Sequence, residues 1–250
     1  MTIGRRTSSS VQQDRAADAA ERARTVATRP IASVQALGLG TSRLLAAATL
    51  DDGRVLVVVP RSGGLATAVH EAPDGDLAAK VTVTSRSPRP LRNPLRARLE
   101  LAGWLMPVPE GDEADLVLAF AAVRPDDVLL DVGLTATLLR LDVAEVLLHE
   151  GGGWTGITPE DYAAARPDPL GAAEDDLLSE HAGPLAELCA RVQARAGDDP
   201  VHLLGLDRHG VLFRVEPRTG CYDLRTPFPA PLSSTGELPS AVRALLACVR

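Results

Sequence analysis

The phrase Gly205-Leu206-Asp207-Arg208-His209-Gly210 lies between two short apolar runs and decides the predicted fold of the last third of the chain. Asp and Gly at such a place supply the chemistry of a tight turn, so the two runs are predicted to pair as a hairpin. A third run follows, and a helical pattern stands on either side of the set. The sequence therefore predicts an α-β-β-β-α unit. Its elements are a helix over 170–196, strands over 201–206, 211–215 and 221–225, and a closing helix over 238–249.

Prolines mark where this unit starts. Pro167-Asp168-Pro169 interrupts the chain ahead of the long helical pattern, because a residue before proline avoids the helical region. Thr158-Pro159-Glu160 predicts a short helix just before it, with threonine as cap and proline in the first turn. Gly183-Pro184 predicts an interruption of the long helix. The resulting division is an N-terminal helix and tail over 1–29, a body over 30–157 and a C-terminal domain over 158–250.

The body is predicted to consist mainly of strands. Two apolar runs, 43–50 and 54–59, flank Asp51-Asp52-Gly53, which is a strong signal for a hairpin. A closed or split β-barrel leaves few exposed edges for such a set of strands. The other predicted strands cover 77–85, 95–107, 134–141 and 143–149, and helices are predicted over 11–28, 65–72 and 112–123.

Composition excludes several classes of protein. The 250 residues are 45% hydrophobic but only 3% aromatic, so a core of Val, Leu and Ala is expected. A net charge of −7 argues against nucleic acid and against an anionic membrane as partners. No apolar run approaches the ~20 residues of a membrane span, and residues 12–29 lack the apolar core of a secretion signal. Three widely spaced cysteines indicate neither disulfides nor zinc, so we expect a soluble, cytoplasmic protein.

Candidate functional residues are few, and each has a structural alternative. None of the five histidines stands at the spacing of a metal-ligand pair, so no metal site is predicted. His181 is either a ligand or acid–base residue, or a polar residue that caps or packs at the domain junction. Arg208 and His209 either complete a turn or direct cations into a cleft. No phosphate loop and no GxSxG element are present.

Two further groups of residues have two interpretations each. A basic stretch rich in proline either holds phosphate or consists of solvated loop charges. The two tryptophans, Trp104 and Trp154, either anchor a cleft or subunit interface or pack, by default, in the core. The basic residues are Arg86, Arg89, Arg92, Arg96 and Arg98.

The C-terminal unit resembles the DUF2470 domain, which follows flavin-reductase-like split barrels in haem-utilisation proteins of the HugZ type and occurs in the plant glutamyl-tRNA reductase-binding protein. The family phrase runs like His-Met-Asn-x-Asp-His-Ala-Asp-Ala-Leu. Its second half is similar to Glu180-His181-Ala182-Gly183-Pro184-Leu185, whereas Asp176 and Leu177-Leu178 replace the first histidine and the Met-Asn pair. The family's Gly-x-Asp-x-x-Gly matches residues 205–210, its Arg-x-x-Phe matches Arg225-Thr226-Pro227-Phe228, and residues 141–146 look similar to the end of the barrel.

This resemblance implies an α+β fold, namely a split β-barrel followed by a small αβββα domain, and a homodimer with a cleft between subunits. It implies binding of haem or a related tetrapyrrole, with His181, His209 and Arg208 as candidate contacts. In flavin-binding relatives a basic residue holds the cofactor phosphate, and Ser42 and Arg43 are the candidates for FMN or deazaflavin. The alternatives are therefore a flavin- or deazaflavin-dependent oxidoreductase and a non-catalytic regulator that binds another protein. The resemblance assigns no axial iron ligand, since the family's axial histidine lies in a tail after the last helix.

Overall fold

A computed structural model of the chain describes residues 8–30, 32–87 and 89–248, with backbone only for residues 8–17 and Arg43. The described residues form two compact units. The first is drawn from Met1–Ser85, Ala97–His149 and Gly153–Pro167, and the second from Arg86–Arg96, Glu150–Gly152 and Asp168–Arg250. The predicted division at residues 29 and 157 stays a prediction.

The first unit is built on a sheet of eight strands. The order is β2-β1-β5-β6-β7-β4-β3, with β8 pairing on β7. The strands are β1 (Ala32–Ala36), β2 (Gly40–Arg43), β3 (Ala46–Thr49), β4 (Val55–Pro60), β5 (Leu77–Arg86), β6 (Leu95–Pro107), β7 (Ala136–Glu150) and β8 (Gly153–Ile157). The helices are α1 (Ser8–Ala27), α2 (Gly64–Glu71), α3 (Glu110–Val123) and α4 (Pro159–Ala164).

The strand β4 shows why this sequence folds as a sheet buried on both faces. Its run Val55-Leu56-Val57-Val58-Val59 is buried throughout. Val55, Val57 and Val59 belong to one apolar cluster, whereas Leu56 and Val58 belong to a second cluster that includes Phe120 of α3. A continuous apolar run of this length is typical of a strand covered on both sides. The predicted hairpin is confirmed, since β3 and β4 pair antiparallel and Gly53 has a φ of 88° in the turn.

One prediction for the first unit was wrong. Residues 134–141 and 143–149 were expected to form two strands, but β7 is a single strand of 15 residues. Asp142, Ala144 and Glu145 in its middle are exposed. In the sequence, the charged Asp142 and Glu145 look like the loop between two separate strands. The backbone continues through these residues beside β6, which comes so near that a Cβ on Gly103 would collide with the Asp142 carbonyl. Glycine is the residue that permits such an approach.

The second unit is a three-stranded sheet covered by helices. Its strands β9 (Val201–Asp207), β10 (Gly210–Val215) and β11 (Tyr222–Pro227) pair antiparallel in the order β11-β10-β9. The helices are α5 (Glu174–Glu180), α6 (Ala182–Ala196) and α7 (Leu238–Cys248). Leucines and valines of these helices share one core with Phe213 of β10. The α+β prediction of a split β-barrel followed by an αβββα unit is confirmed.

The break in the long helix lies earlier than predicted. It falls at His181, between α5 and α6, and not at Gly183-Pro184. Pro184 is the third residue of α6, where its missing N–H is not needed because the first turn has no intrahelical acceptors for its donors. The first helical bond of α6 runs from the Leu185 amide to the His181 carbonyl, at 3.0 Å.

Two features of the described residues bear on the predicted membrane and metal properties. No helix there is long and apolar enough to cross a membrane. No group of three His, Cys, Asp or Glu side chains there is placed to hold a metal ion.

Candidate functional site

The turn between β9 and β10 is held by one carboxylate. Asp207 Oδ1 accepts hydrogen bonds from the His209 amide at 2.9 Å and the Gly210 amide at 3.1 Å. The Arg225 guanidinium donates to the same oxygen at 2.6 Å, across the sheet. A Cβ on Gly210 would collide with the Thr226 carbonyl. Asp207 and Gly210 therefore have structural roles in the turn.

The first glycine of that phrase makes room for an ion pair. Arg96 and Glu174 form a bidentate pair, with nitrogen–oxygen distances of 2.8 and 2.9 Å. The Glu174 side chain is only 2% exposed, and its Oε1 also accepts from the Leu206 amide at 3.0 Å. A Cβ on Gly205 would lie 2.6 Å from Arg96 Cζ and closer still to Glu174 Oε1. Because Gly205 has no side chain, it leaves the space that this ion pair occupies.

The outer edge of β9 is closed by side chains. The Val201 amide donates to Gln193 Oε1 at 2.8 Å, the Leu206 amide to Glu174, and the Arg208 amide to Asp168 Oδ2 at 2.7 Å. An edge strand left open would invite pairing with another chain. Asp168 also accepts from the Leu170 amide at 2.7 Å. This second bond explains why the unit opens on Asp168-Pro169-Leu170.

A groove of about 560 Å³ runs along this edge, and we call it the edge groove. It lies wholly within the second unit. One wall is a stripe of α6 at helical spacing, the edge of β9 lies beside it, and the segment 89–91 forms the rest. Its volume falls in the range of small-molecule sites. The lining residues are Arg89, Pro90, Leu91, Ala182, Leu185, Ala186, Cys189, Ala190, Gln193, Val201, His202 and Leu203.

The polar side chains of the edge groove are an imidazole, a guanidinium, a thiol and the Gln193 amide, which bonds the Val201 amide. His202 Nε2 lies 3.6 Å from Glu216 Oε2, and the His202 side chain is 39% exposed. The Glu216 side chain is 9% exposed, and its Oε1 has no hydrogen-bond partner among the described residues. Arg89 is exposed.

The thiol is held in its neutral form. Burial raises the pKa of Cys189, against smaller opposing effects of the Arg89 charge and the Leu203 amide. Its Sγ donates to the Val201 carbonyl at 3.5 Å. A neutral thiol is a poor nucleophile and a poor metal ligand, so it contributes mainly packing to the groove.

The structure places the predicted site residues in three separate regions. His181 precedes Ala182, the first groove residue of α6. Arg208 and His209 lie in the turn at the far end of β9, and neither lines the groove. Ser42 and Arg43 end β2 in the first unit, where Ser42 pairs with Val34 and the Arg43 side chain is outside the described part.

Sequence reasoning missed the groove residues His202 and Gln193. The signal available for Gln193 was its place on one stripe of α6 with Leu185 and Cys189. His202 carried no signal by itself, because a single polar residue in a strand is common. The basic stretch is divided in its roles: Arg96 pairs with Glu174, Arg92 donates to the Pro217 carbonyl at 2.6 Å, and Arg89 lines the groove.

The default expectation that both tryptophans pack in the core was wrong. Trp104 on β6 is 46% exposed and Trp154 on β8 is 51% exposed. The Trp154 ring lies 4.9 Å from the His149 ring. The alternative, that both tryptophans anchor a cleft or a subunit interface, stays a prediction.

Comparisons with known proteins bear on the fold. No protein-family model matches the sequence, and no curated protein matches it. A solved haem-binding protein from Mycobacterium smegmatis is 23% identical, with a TM-score of 0.62, over 92% of this chain and 97% of that one. A protein of unknown function from Agrobacterium tumefaciens is 19% identical, with a TM-score of 0.45, over 92% and 95%. ChuZ from Campylobacter jejuni is 11% identical, with a TM-score of 0.45, over 65% and 66%.

The Mycobacterium smegmatis structure shows that the fold extends over nearly the whole of both chains. At TM-scores below 0.5, the other two similarities add nothing to this. The resemblance of the second unit to DUF2470 stays a prediction.

Proposed function

We propose that this chain binds haem or a related tetrapyrrole. The observation that carries the proposal is the edge groove, whose apolar walls are joined by an imidazole and a guanidinium. A second support is that the similar structure from Mycobacterium smegmatis is described as a haem-binding protein. Whether any reaction follows binding is not part of the proposal.

The groove residues fit the chemistry of a haem. Its flat macrocycle needs apolar surface on both faces, which the exposed Ala182, Ala186 and Ala190 of α6 offer together with Pro90 and Leu91. Its two carboxylates need a cation at a wet edge, and the exposed Arg89 supplies one. Its iron, when haem is bound, takes a neutral imidazole as ligand.

The predicted haem contacts, His181, His209 and Arg208, stay part of this proposal. His181 adjoins the groove, so it can reach a ligand seated at the Ala182 end. His209 is separated from His202 by six residues, and the stretch as far as Asp207 alone spans about 17 Å of extended strand. His209 and Arg208 could therefore serve only a ligand bound outside the groove.

Titration of the purified protein with haemin tests the proposal. We expect a shifted Soret band that saturates at one haemin per chain. An Arg89→Glu variant should bind at least 10-fold more weakly, because it turns an attractive charge into a repulsive one. The control is Arg98→Glu, an exposed arginine outside the groove, which should bind as the natural chain does. An unchanged spectrum of the natural chain at excess haemin would reject haem binding.

The same preparation separates the alternatives. A yellow protein with a flavin spectrum would favour the flavin- or deazaflavin-dependent oxidoreductase, with Ser42 and Arg43 at its phosphate. A colourless protein that ignores haemin, flavin and deazaflavin would favour the non-catalytic regulator. No contact in the described structure favours either of them over the tetrapyrrole.

We also infer that two copies associate and that the protein works in the cytoplasm. Large exposed apolar side chains on the first unit, Trp104, Trp154, Leu130 and Leu134, support association. Cys189, Cys221 and Cys248 are free thiols, which fits a reducing compartment. Light scattering after gel filtration should give twice 26.3 kDa. A mass of one chain at micromolar concentration would contradict the dimer.

A further inference from the structure

We infer that His202 is the residue that ligates the iron, and that Glu216 is a positioning residue for it. The inference rests on the proposed function, since it concerns the same groove and the same ligand. Three other groups were candidates for the iron: His181 beside the groove, His209 in the β9–β10 turn, and Cys189 within the groove. The contacts around each group distinguish them.

His202 is the imidazole inside the groove, and a carboxylate lies against it. Its Nε2 is 3.6 Å from Glu216 Oε2, and its Nδ1 makes no hydrogen bond among the described residues. A histidine that binds a metal nearly always directs its other ring nitrogen at a carboxylate or carbonyl, which fixes the ring and strengthens the bond. Only this histidine of the described structure combines a place in the groove with such a partner.

The buried carboxylate of Glu216 requires a polar partner. Its residue is 8% exposed, and Oε1 is buried without a hydrogen-bond partner in the described part. Burying a carboxylate is costly unless charge or hydrogen bonds compensate. An imidazole N–H donated toward it, held there once iron occupies the other ring nitrogen, would lower that cost. The carboxylate and the metal therefore favour the same orientation of the ring.

The other candidates lack this arrangement. His181 has no side-chain hydrogen bond or ion pair among the described residues, and its ring has no carboxylate to orient it. His209 lies beyond the end of β9, outside the groove. Cys189 is in the groove, but a thiol must lose its proton to bind iron, and burial opposes that loss.

The test combines haemin spectra with rescue by free imidazole. The natural chain, His202→Ala, His181→Ala and His209→Ala are each titrated with haemin. We expect His202→Ala alone to lose the shifted Soret band and to regain it on addition of imidazole, which enters the space left by the ring. His181→Ala and His209→Ala should keep the natural spectrum. Rescue by imidazole is a result that a merely structural role of His202 would not produce.

Glu216 is tested by the strength of the iron–imidazole bond. Glu216→Ala should weaken haemin binding about 10-fold, and the iron–nitrogen stretch in the resonance Raman spectrum of the reduced protein should fall to lower frequency. In Glu216→Gln, which retains an acceptor without the charge, the affinity and the stretching frequency should lie between those of the natural chain and Glu216→Ala. Equal stretches in all three proteins would overturn the role of Glu216.

The outcomes separate this inference from the proposed function. A natural Soret shift in His202→Ala overturns the ligand assignment and leaves haem binding intact. No shift in the natural chain overturns haem binding itself. If circular dichroism shows that His202→Ala is unfolded, His202→Gln replaces it, because glutamine keeps a donor for Glu216 but is not an imidazole. If the folded His202→Gln variant loses the shifted Soret band while His181→Ala keeps it, His202 is supported as the iron ligand. If His202→Gln keeps the shifted band, the assignment is refuted.

Discussion

Replacing Gly205 with alanine should destabilise the second unit by about 3 kcal/mol. The added methyl group would lie 2.6 Å from Arg96 Cζ and closer to Glu174 Oε1, where the side chains are 14% and 2% exposed. Overfilling a packed site costs ~1–3 kcal/mol, and displacing these two side chains also weakens a buried ion pair, for which the loss of one whole partner would cost ~3–5 kcal/mol. Since Gly205 has no positive φ, alanine suits its backbone and returns about 0.4–1 kcal/mol through the unfolded chain.

The assay is urea unfolding followed by far-ultraviolet circular dichroism. Tryptophan fluorescence is unsuitable, because Trp104 and Trp154 both belong to the first unit. For a domain of about 100 residues the expected loss corresponds to a fall in Tm of roughly 12–24 °C. Hydrogen exchange of the Leu206 amide gives a local measure, since this amide donates to Glu174 at 3.0 Å. It should exchange faster in the variant at low urea.

Gly183→Ala is the matched control. A Cβ on Gly183 meets nothing within 4 Å, and the residue lies in the first turn of α6, where alanine is the better helix former. This variant should be unchanged or more stable by up to ~1 kcal/mol. If the free energies of unfolding of Gly205→Ala and Gly183→Ala agree within ~0.5 kcal/mol, the Arg96–Glu174 pair does not pack against Gly205. That result would refute the role given to Gly205.

Three further predictions concern buried or bonded polar groups. Burial raises the pKa of Tyr162 to about 12, from the usual 10.0. Its neutral phenol therefore contributes about 3 kcal/mol to the free energy of unfolding below pH 10, and this contribution is lost as the pH rises from 10 through 12. Tyr162→Phe should remove this part of the alkaline decline, measured as Tm against pH. Asp207→Ala should cost about 2 kcal/mol in urea unfolding, because two turn amides and Arg225 lose their acceptor, and a loss below 0.5 kcal/mol would contradict this. Burial lowers the pKa of Arg24, whose Nε and Nη1 have no hydrogen-bond partner among the described residues. Arg24→Met should therefore be at least as stable as the natural chain in urea unfolding. Arg24→Ala should lower the free energy of unfolding by about 2 kcal/mol or more, because it leaves a cavity.

Local pattern was sufficient to predict most elements of the fold. The Asp51-Asp52-Gly53 hairpin and the helix over 112–123 depend on neighbours in the sequence, so their signals survive without tertiary information. The two errors had a local cause as well. Exposed Asp142 and Glu145 resembled a break in β7, and Pro184 resembled a helix breaker although it lies in a first turn, where its missing N–H is tolerated.

The sequence by itself determined most of the helices and the longer strands but missed the short strands β1, β2 and β8, because backbone preference and the spacing of apolar residues act over a few neighbours. Only the tertiary structure decided what the polar residues do. Arg96 meets Glu174 across 78 residues, and the 89–91 segment meets His202 at the edge of β9, more than 100 residues along the chain. Such meetings depend on how whole elements pack. Asp207, which holds a turn, and Glu174, which forms a buried ion pair, therefore look the same in the sequence.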